Sequence, residues 1–117
     1  MKVILVLCGA IFANACANIL MKLAMVKTPK DSGLVEIAKS AAKSLPAAIG
    51  VFCFIIALVL YLYVLARLPL SVAYPIMTAA GFAIVATASQ LLFSESITVS
   101  RIGGFAFIVC GIYLVAR

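Results

Sequence analysis

The chain has no histidine and only three acidic residues, Asp31, Glu36 and Glu95. Charged residues of either sign make up 10% of its 117 positions, where a soluble domain carries about a quarter. Four cysteines, Cys8, Cys16, Cys53 and Cys110, lie singly in apolar runs, with no CxxC pair among them. Without imidazoles, paired thiols or clustered carboxylates, the ligand spacing of a metal site is missing. No polar segment is long enough to form a soluble catalytic domain, so hydrolytic and redox chemistry have little to work with. The sequence predicts no enzyme, no metal and no cofactor, and the cysteines read as small packing residues.

What the chain has instead is apolar length. It is 68% hydrophobic, with a mean hydropathy of +1.35. That is more apolar surface than a small core can hide, so lipid must cover the rest. Apolar runs of about 20 residues cross a hydrocarbon core of ~30 Å as helices, at ~1.5 Å per residue. The expected spans cover about 3–26, 46–66, 70–93 and 99–116, within a single transmembrane domain over 1–117. In lipid only helices among open-chain structures satisfy every backbone group, so the predicted fold is an all-α, integral membrane four-helix bundle. The start, MKVILVLCGAIFANACA, also has the look of a cleavable signal, but its apolar run continues to Met25, and a retained span is the expectation.

The connections ARLPLS and SESITVS are short and force their neighbours antiparallel. The first connection, KTPKDSGLVEIAKSAAKSL, is longer. From Ser32 it places Leu34, Ile37, Ala38, Ala41 and Leu45 at helical spacing, with Glu36, Lys39, Ser40 and Lys43 opposite. This predicts a short amphipathic helix on the lipid headgroups, N-capped by Asp31 or Ser32, its lysines toward anionic lipid.

The net charge of +6 is spread over the ends of the spans and this loop, which suits membrane lipids as partners and not nucleic acid. Lys27, Lys30, Lys39, Lys43 and Arg101 share one side with Lys22 at its edge, while Lys2, Arg67 and Arg117 share the other. By the positive-inside rule both termini of this multi-pass protein face outward.

Function is carried by the few polar residues inside the spans. Asn14, Asn18 and Lys22 recur every fourth residue in the first span. At ~100° per residue they drift about 40° per step and share one face, which must meet the bundle interior or a wet cavity. The alternatives for this stripe are interhelical hydrogen bonding by the amides and snorkelling by Lys22. Ser71, Tyr74 and Thr78 share a face of the third span, where Pro75 and Gly81 are candidate hinges. Gly50, Cys53, Ala57 and Tyr61 form a smooth packing ridge on the second span, with Tyr61 and Tyr63 in the interfacial aromatic belt. Gly104 and Gly111 are a packing face on the fourth, within the bundle or between protomers. Glu95 is the one acid beside a span and is expected at the interface next to Arg101, with proton coupling as its alternative role.

Three of these stretches resemble one known family. AIFANACANILMK is similar to the first helix of the small multidrug resistance proteins and their EamA-like relatives in the drug/metabolite transporter superfamily. LARLPLSVAYPIM resembles their entry to helix three, and IGGFAFIVCGIYLV their fourth helix. The resemblance implies a dimeric transporter, with Tyr74 as a binding-site tyrosine and Gly104 and Gly111 in dimer packing. It also exposes two departures. Asn14 stands where multidrug members carry a proton-binding glutamate, and Met77 stands where they carry a tryptophan. An amide cannot titrate, and a thioether has no aromatic face for a cation.

These losses make the chain closest in character to aminoarabinose-phosphoundecaprenol flippase-type subunits, which move a lipid-linked sugar. The expected function is translocation of a small polar or lipid-linked substrate, of the undecaprenyl-phosphate type, by alternating access. The expected route is lined by Asn14, Asn18, Lys22, Ser71, Tyr74, Met77 and Thr78. The expected assembly is a homodimer, or a heterodimer with a related four-helix subunit. The alternatives are a proton-coupled multidrug or metabolite exporter and a non-transporting accessory membrane subunit.

Overall fold

The computed structural model describes residues 1–26 and 28–117. Lys27, counted above among the headgroup lysines, lies outside the described residues. Five helices follow in order: α1 (Lys2–Met25), α2 (Leu34–Lys43), α3 (Leu45–Leu65), α4 (Leu70–Phe93) and α5 (Val99–Ala116). Four of them are long and apolar enough to cross a membrane, and α2 is the short amphipathic one. No strand occurs among the described residues.

Local chemistry sets the breaks. Pro46 falls in the first turn of α3, where its missing N–H breaks no helical bond. Pro69 caps the start of α4 in an extended conformation. The turn between α3 and α4 is closed by Arg67 and Leu68 amides donating to the Val64 carbonyl, and the Arg67 guanidinium stacks 3.7 Å over the Tyr63 ring. α2 starts later than Asp31 or Ser32 would have it. The Ser32 amide donates to the Pro29 carbonyl, which ties those residues into a preceding turn, so Gly33 becomes the N-cap and offers no side-chain bond.

Packing is tight in one seam and sparse elsewhere. α1 lies along α3 and, less extensively, along α4. Small residues make this close approach possible, with Ala10, Ala15 and Ala17 of α1 and Ala47, Gly50 and Ala57 of α3 all buried. The expected ridge on α3 is thus turned toward α1 at Gly50, whose α-carbon leaves no free space beside the Ala17 carbonyl. At the other end Leu7, Ile11, Val64 and Ala73 form a buried apolar cluster where α1, α3 and α4 meet.

α5 packs against α4 alone among the described residues, through a stacked Phe82–Phe105 pair with ring centroids 5.3 Å apart. The radius of gyration is 15.9 Å, against about 13 Å for a compact domain of this length. The chain is therefore a thin slab with α5 on its rim. At most 28% of any span's most apolar stretch is buried within the chain, and none of α5's. In water so much exposed apolar surface would drive aggregation, whereas in a bilayer it is the solvent-facing surface. The protein is a multi-pass membrane protein.

Candidate functional site

The polar residues of α1 face α4 across a gap that α3 closes from one side. In α4, Tyr74, Met77, Thr78 and Gly81 recur at i, i+3, i+4 and i+7 and so share the helix face turned to α1. Together with Asn14, Asn18 and Tyr61 they line a chamber of about 450 Å³ that is open on one side, where Asn18, Tyr74 and Thr78 are exposed. Gly81 is buried opposite Asn14, and a Cβ there would lie 3.8 Å from Asn14 Nδ2. The missing side chain keeps the amide's side of the chamber open.

Several of the chamber's polar groups are already committed within their own helices. Asn18 Nδ2 donates to the Asn14 carbonyl at 2.9 Å, and Thr78 Oγ1 donates to the Tyr74 carbonyl at 2.8 Å. Asn18 therefore presents its amide oxygen and one remaining N–H, and Thr78 the lone pairs of its hydroxyl. The Asn14 side chain forms no hydrogen bond among the described residues, and neither does Tyr61 Oη, which is buried. An unpaired buried hydroxyl costs about 1–3 kcal/mol, a penalty that a bound polar molecule would relieve. The chamber has amide, phenol, hydroxyl and thioether groups and no carboxylate.

A second cleft of about 670 Å³ continues from the chamber toward one membrane face, sharing Asn18, Phe82 and Val85 with it. Lys22, Glu95 and Arg101 stand in its walls, while Phe82, Ile102 and Phe105 make it otherwise apolar. Lys22 Nζ lies 3.8 Å from Glu95 Oε1, with the two side chains 55% and 44% exposed. Glu95 reaches Lys22 because Ser94 ends α4 in the left-handed conformation, φ 54°, and the Glu95 amide turns back to the Ser89 carbonyl. Arg101 is held by its own turn instead, with its amide on Thr98 Oγ1 and Nη1 on the Ser96 carbonyl.

Two expectations are corrected here. Glu95 is paired with Lys22 and not with Arg101. Ser71 lines neither the chamber nor the cleft, because α4 begins at Leu70 and Ser71 sits in its exposed first turn, nearer the membrane edge than Tyr74. The stripe on α1 is divided by depth, with Asn14 in the chamber, Lys22 in the outer cleft and Asn18 at their junction. Pro75 lies within continuous α4, where its missing N–H leaves the Ser71 carbonyl without a helical donor. Gly104 and Gly111 are exposed, with open space where a Cβ would go.

Tyr61, Phe82 and Arg101 are site residues that sequence reasoning placed elsewhere or passed over. Tyr61 had only a partial signal, since it ends the Gly50–Cys53–Ala57 packing ridge, and it is the fold that turns this ridge toward α1.

A family model described as Small Multidrug Resistance protein matches residues 1–108. The chain belongs to the small multidrug resistance family. Its members are membrane transporters, so this small multidrug resistance protein is a small-molecule membrane transporter by family, with four spans long and apolar enough to cross a membrane. It is 33% identical over 106 residues to the uncharacterized protein y4nH of Sinorhizobium fredii (strain NBRC 101917 / NGR234), a match covering 89% of this chain and 86% of that protein.

Proposed function

We propose that this transporter moves a small polar or lipid-linked molecule, of the polyprenyl-phosphate sugar type, by alternating access. The observation that carries the reading is the chamber's content. Asn14, Asn18, Tyr61, Tyr74 and Thr78 offer neutral hydrogen-bonding groups suited to sugar hydroxyls, and no carboxylate is there to hold a cation. The outer cleft adds two cations to one acid, Lys22 and Arg101 against Glu95, which favours an anionic group at the membrane face. Its apolar walls suit a hydrocarbon tail, as in the flippase-type subunits that the sequence resembles.

In this reading α4 flexes at Pro75 and Gly81 while α1 and α3 stay joined along their small-residue seam. α5, uncovered over Gly104 and Gly111, meets a second four-helix subunit, identical or related. The protein sits in a bacterial inner membrane with both termini outward.

One observation favours a second reading, proton-coupled export of a drug or metabolite. Glu95 lines the outer cleft and is the single acid within reach of the path. Binding to the purified protein and to Lys22→Ala separates the two, with an undecaprenyl-phosphate lipid and a hydrophobic cation offered in turn. The lipid-linked reading expects selective lipid binding that weakens in Lys22→Ala. Preference for the cation, with proton release on binding, overturns it in favour of export through Glu95.

A further inference from the structure

Transport through the chamber makes no use of α2. Leu34, Ile37, Ala38 and Ala41 recur at i, i+3, i+4 and i+7 on one face, with Glu36, Lys39, Ser40 and Lys43 opposite. A helix patterned this way normally buries its apolar face against a core. Here no residue of α2 is buried, and Leu34 and Val35 are 84% and 66% exposed. α2 only brushes α1 and α3, and its N-cap Gly33 supplies no side-chain bond. Ten residues are fewer than the ~12–15 that an isolated helix needs even to be marginal in water. Something outside the chain must hold it.

The covalent tethers say what. Ser44 alone separates the end of α2 from α3, which crosses the membrane, so α2 cannot leave the headgroup layer in which α3 begins. Its polar face carries two lysines against one glutamate, and the same membrane face carries Lys22 and Arg101 against Glu95. A basic amphipathic helix held at this level fits an anionic phospholipid surface. We infer that α2 folds onto anionic phospholipid headgroups, seating Leu34, Ile37, Ala38 and Ala41 at the acyl boundary and Lys39 and Lys43 against lipid phosphates. The membrane's surface charge thereby fixes the depth at which α3 starts, whatever molecule the chamber carries.

Hydrogen exchange on the whole protein in nanodiscs tests this, comparing phosphatidylcholine alone with a mixture containing phosphatidylglycerol. Amides of α1 and α3 serve as an internal reference for global folding. Each lysine near an anionic surface adds about fivefold, and Glu36 offsets one of them, so α2 protection should rise about fivefold in the anionic discs. Lys39→Gln with Lys43→Gln leaves Glu36 alone, so it should abolish that rise and lower protection in the anionic discs, while leaving protection in phosphatidylcholine unchanged. Ile37→Ser should lower protection in both lipids. Equal α2 protection in the two lipids for the unmodified protein overturns the inference without recourse to any variant. Protection that follows the number of protein copies per disc, and not lipid charge, also overturns it and assigns the face to a second copy.

Discussion

Gly50 is the tightest of the glycines, set in the α1–α3 seam, and replacing it measures how much of the fold rests there. An alanine Cβ at Gly50 would lie 3.3 Å from the Ala17 carbonyl oxygen, 3.3 Å from Met21 Cε and 3.4 Å from Leu20 Cβ. Comfortable carbon contacts begin at about 3.5 Å. Met21 Cε ends a flexible side chain and can swing aside. The other two atoms cannot, since one is α1 backbone and the other is fixed directly to it. α1 and α3 must therefore separate by a few tenths of an ångström. Overpacking of this kind costs about 1–3 kcal/mol, against a gain of about 1 kcal/mol from replacing glycine by alanine within a helix. The net expectation for Gly50→Ala is a loss of about 0–2 kcal/mol. Gly50→Val forces two further methyls into the same seam and should lose about 3 kcal/mol. The assay is unfolding of the purified protein in mild detergent titrated with a denaturing one, followed by circular dichroism. Gly103→Ala, where the added methyl meets open space and lies off the Gly104–Gly111 face, is the control and should unfold no earlier than the native chain. A Gly50→Val protein as stable as the native one would refute the seam as the structural axis of the fold.

Lys22→Gln should change stability by less than about 1 kcal/mol, because a half-exposed pair at 3.8 Å contributes little, yet it should weaken binding of an anionic amphiphile several-fold in a direct titration. Tyr61→Phe removes a buried hydroxyl that nothing in the chain satisfies. It should leave the protein as stable as before or raise stability by about 1 kcal/mol in the same unfolding assay, while lowering affinity for a polar substrate. The chamber holds neither a carboxylate nor a histidine, so substrate binding to the native protein should be flat between about pH 5 and 8. Asn14→Glu should create binding of a hydrophobic cation that strengthens as pH rises and the new carboxylate loses its proton, readable by fluorescence titration across that range.

Periodicity in the sequence tells which residues share a helix face, and that much of the site could be read in advance. Asn14 and Asn18 meet Tyr74, Met77 and Thr78 because both sets keep helical spacing and polar groups avoid lipid. Depth is what periodicity leaves open. Ser71 shares a face with Tyr74 but lies one turn nearer the membrane edge, and Lys22 shares a face with Asn14 but opens into a different cleft. Which helix lies opposite is open too. Tyr61 looks like an interfacial aromatic until α3 is seen lying along α1, which turns its hydroxyl inward. The partner of Glu95 follows from a left-handed backbone at Ser94, a conformation that serine seldom adopts and that SES does not announce.

Asn18, Thr78, Thr87 and Ser89 each give their side-chain hydrogen bond to a carbonyl three or four residues back in the same helix. Among the described residues no side-chain hydrogen bond joins one spanning helix to another, and the Lys22–Glu95 pair ties α1 only to the turn after α4. Each span thus enters the bilayer with these donors already satisfied and needs no neighbour to complete them. The same economy lowers friction. When α4 slides or tilts against α1, no interhelical hydrogen bond has to break in lipid, and the barrier is set by the fit of methyl groups and one exposed ion pair.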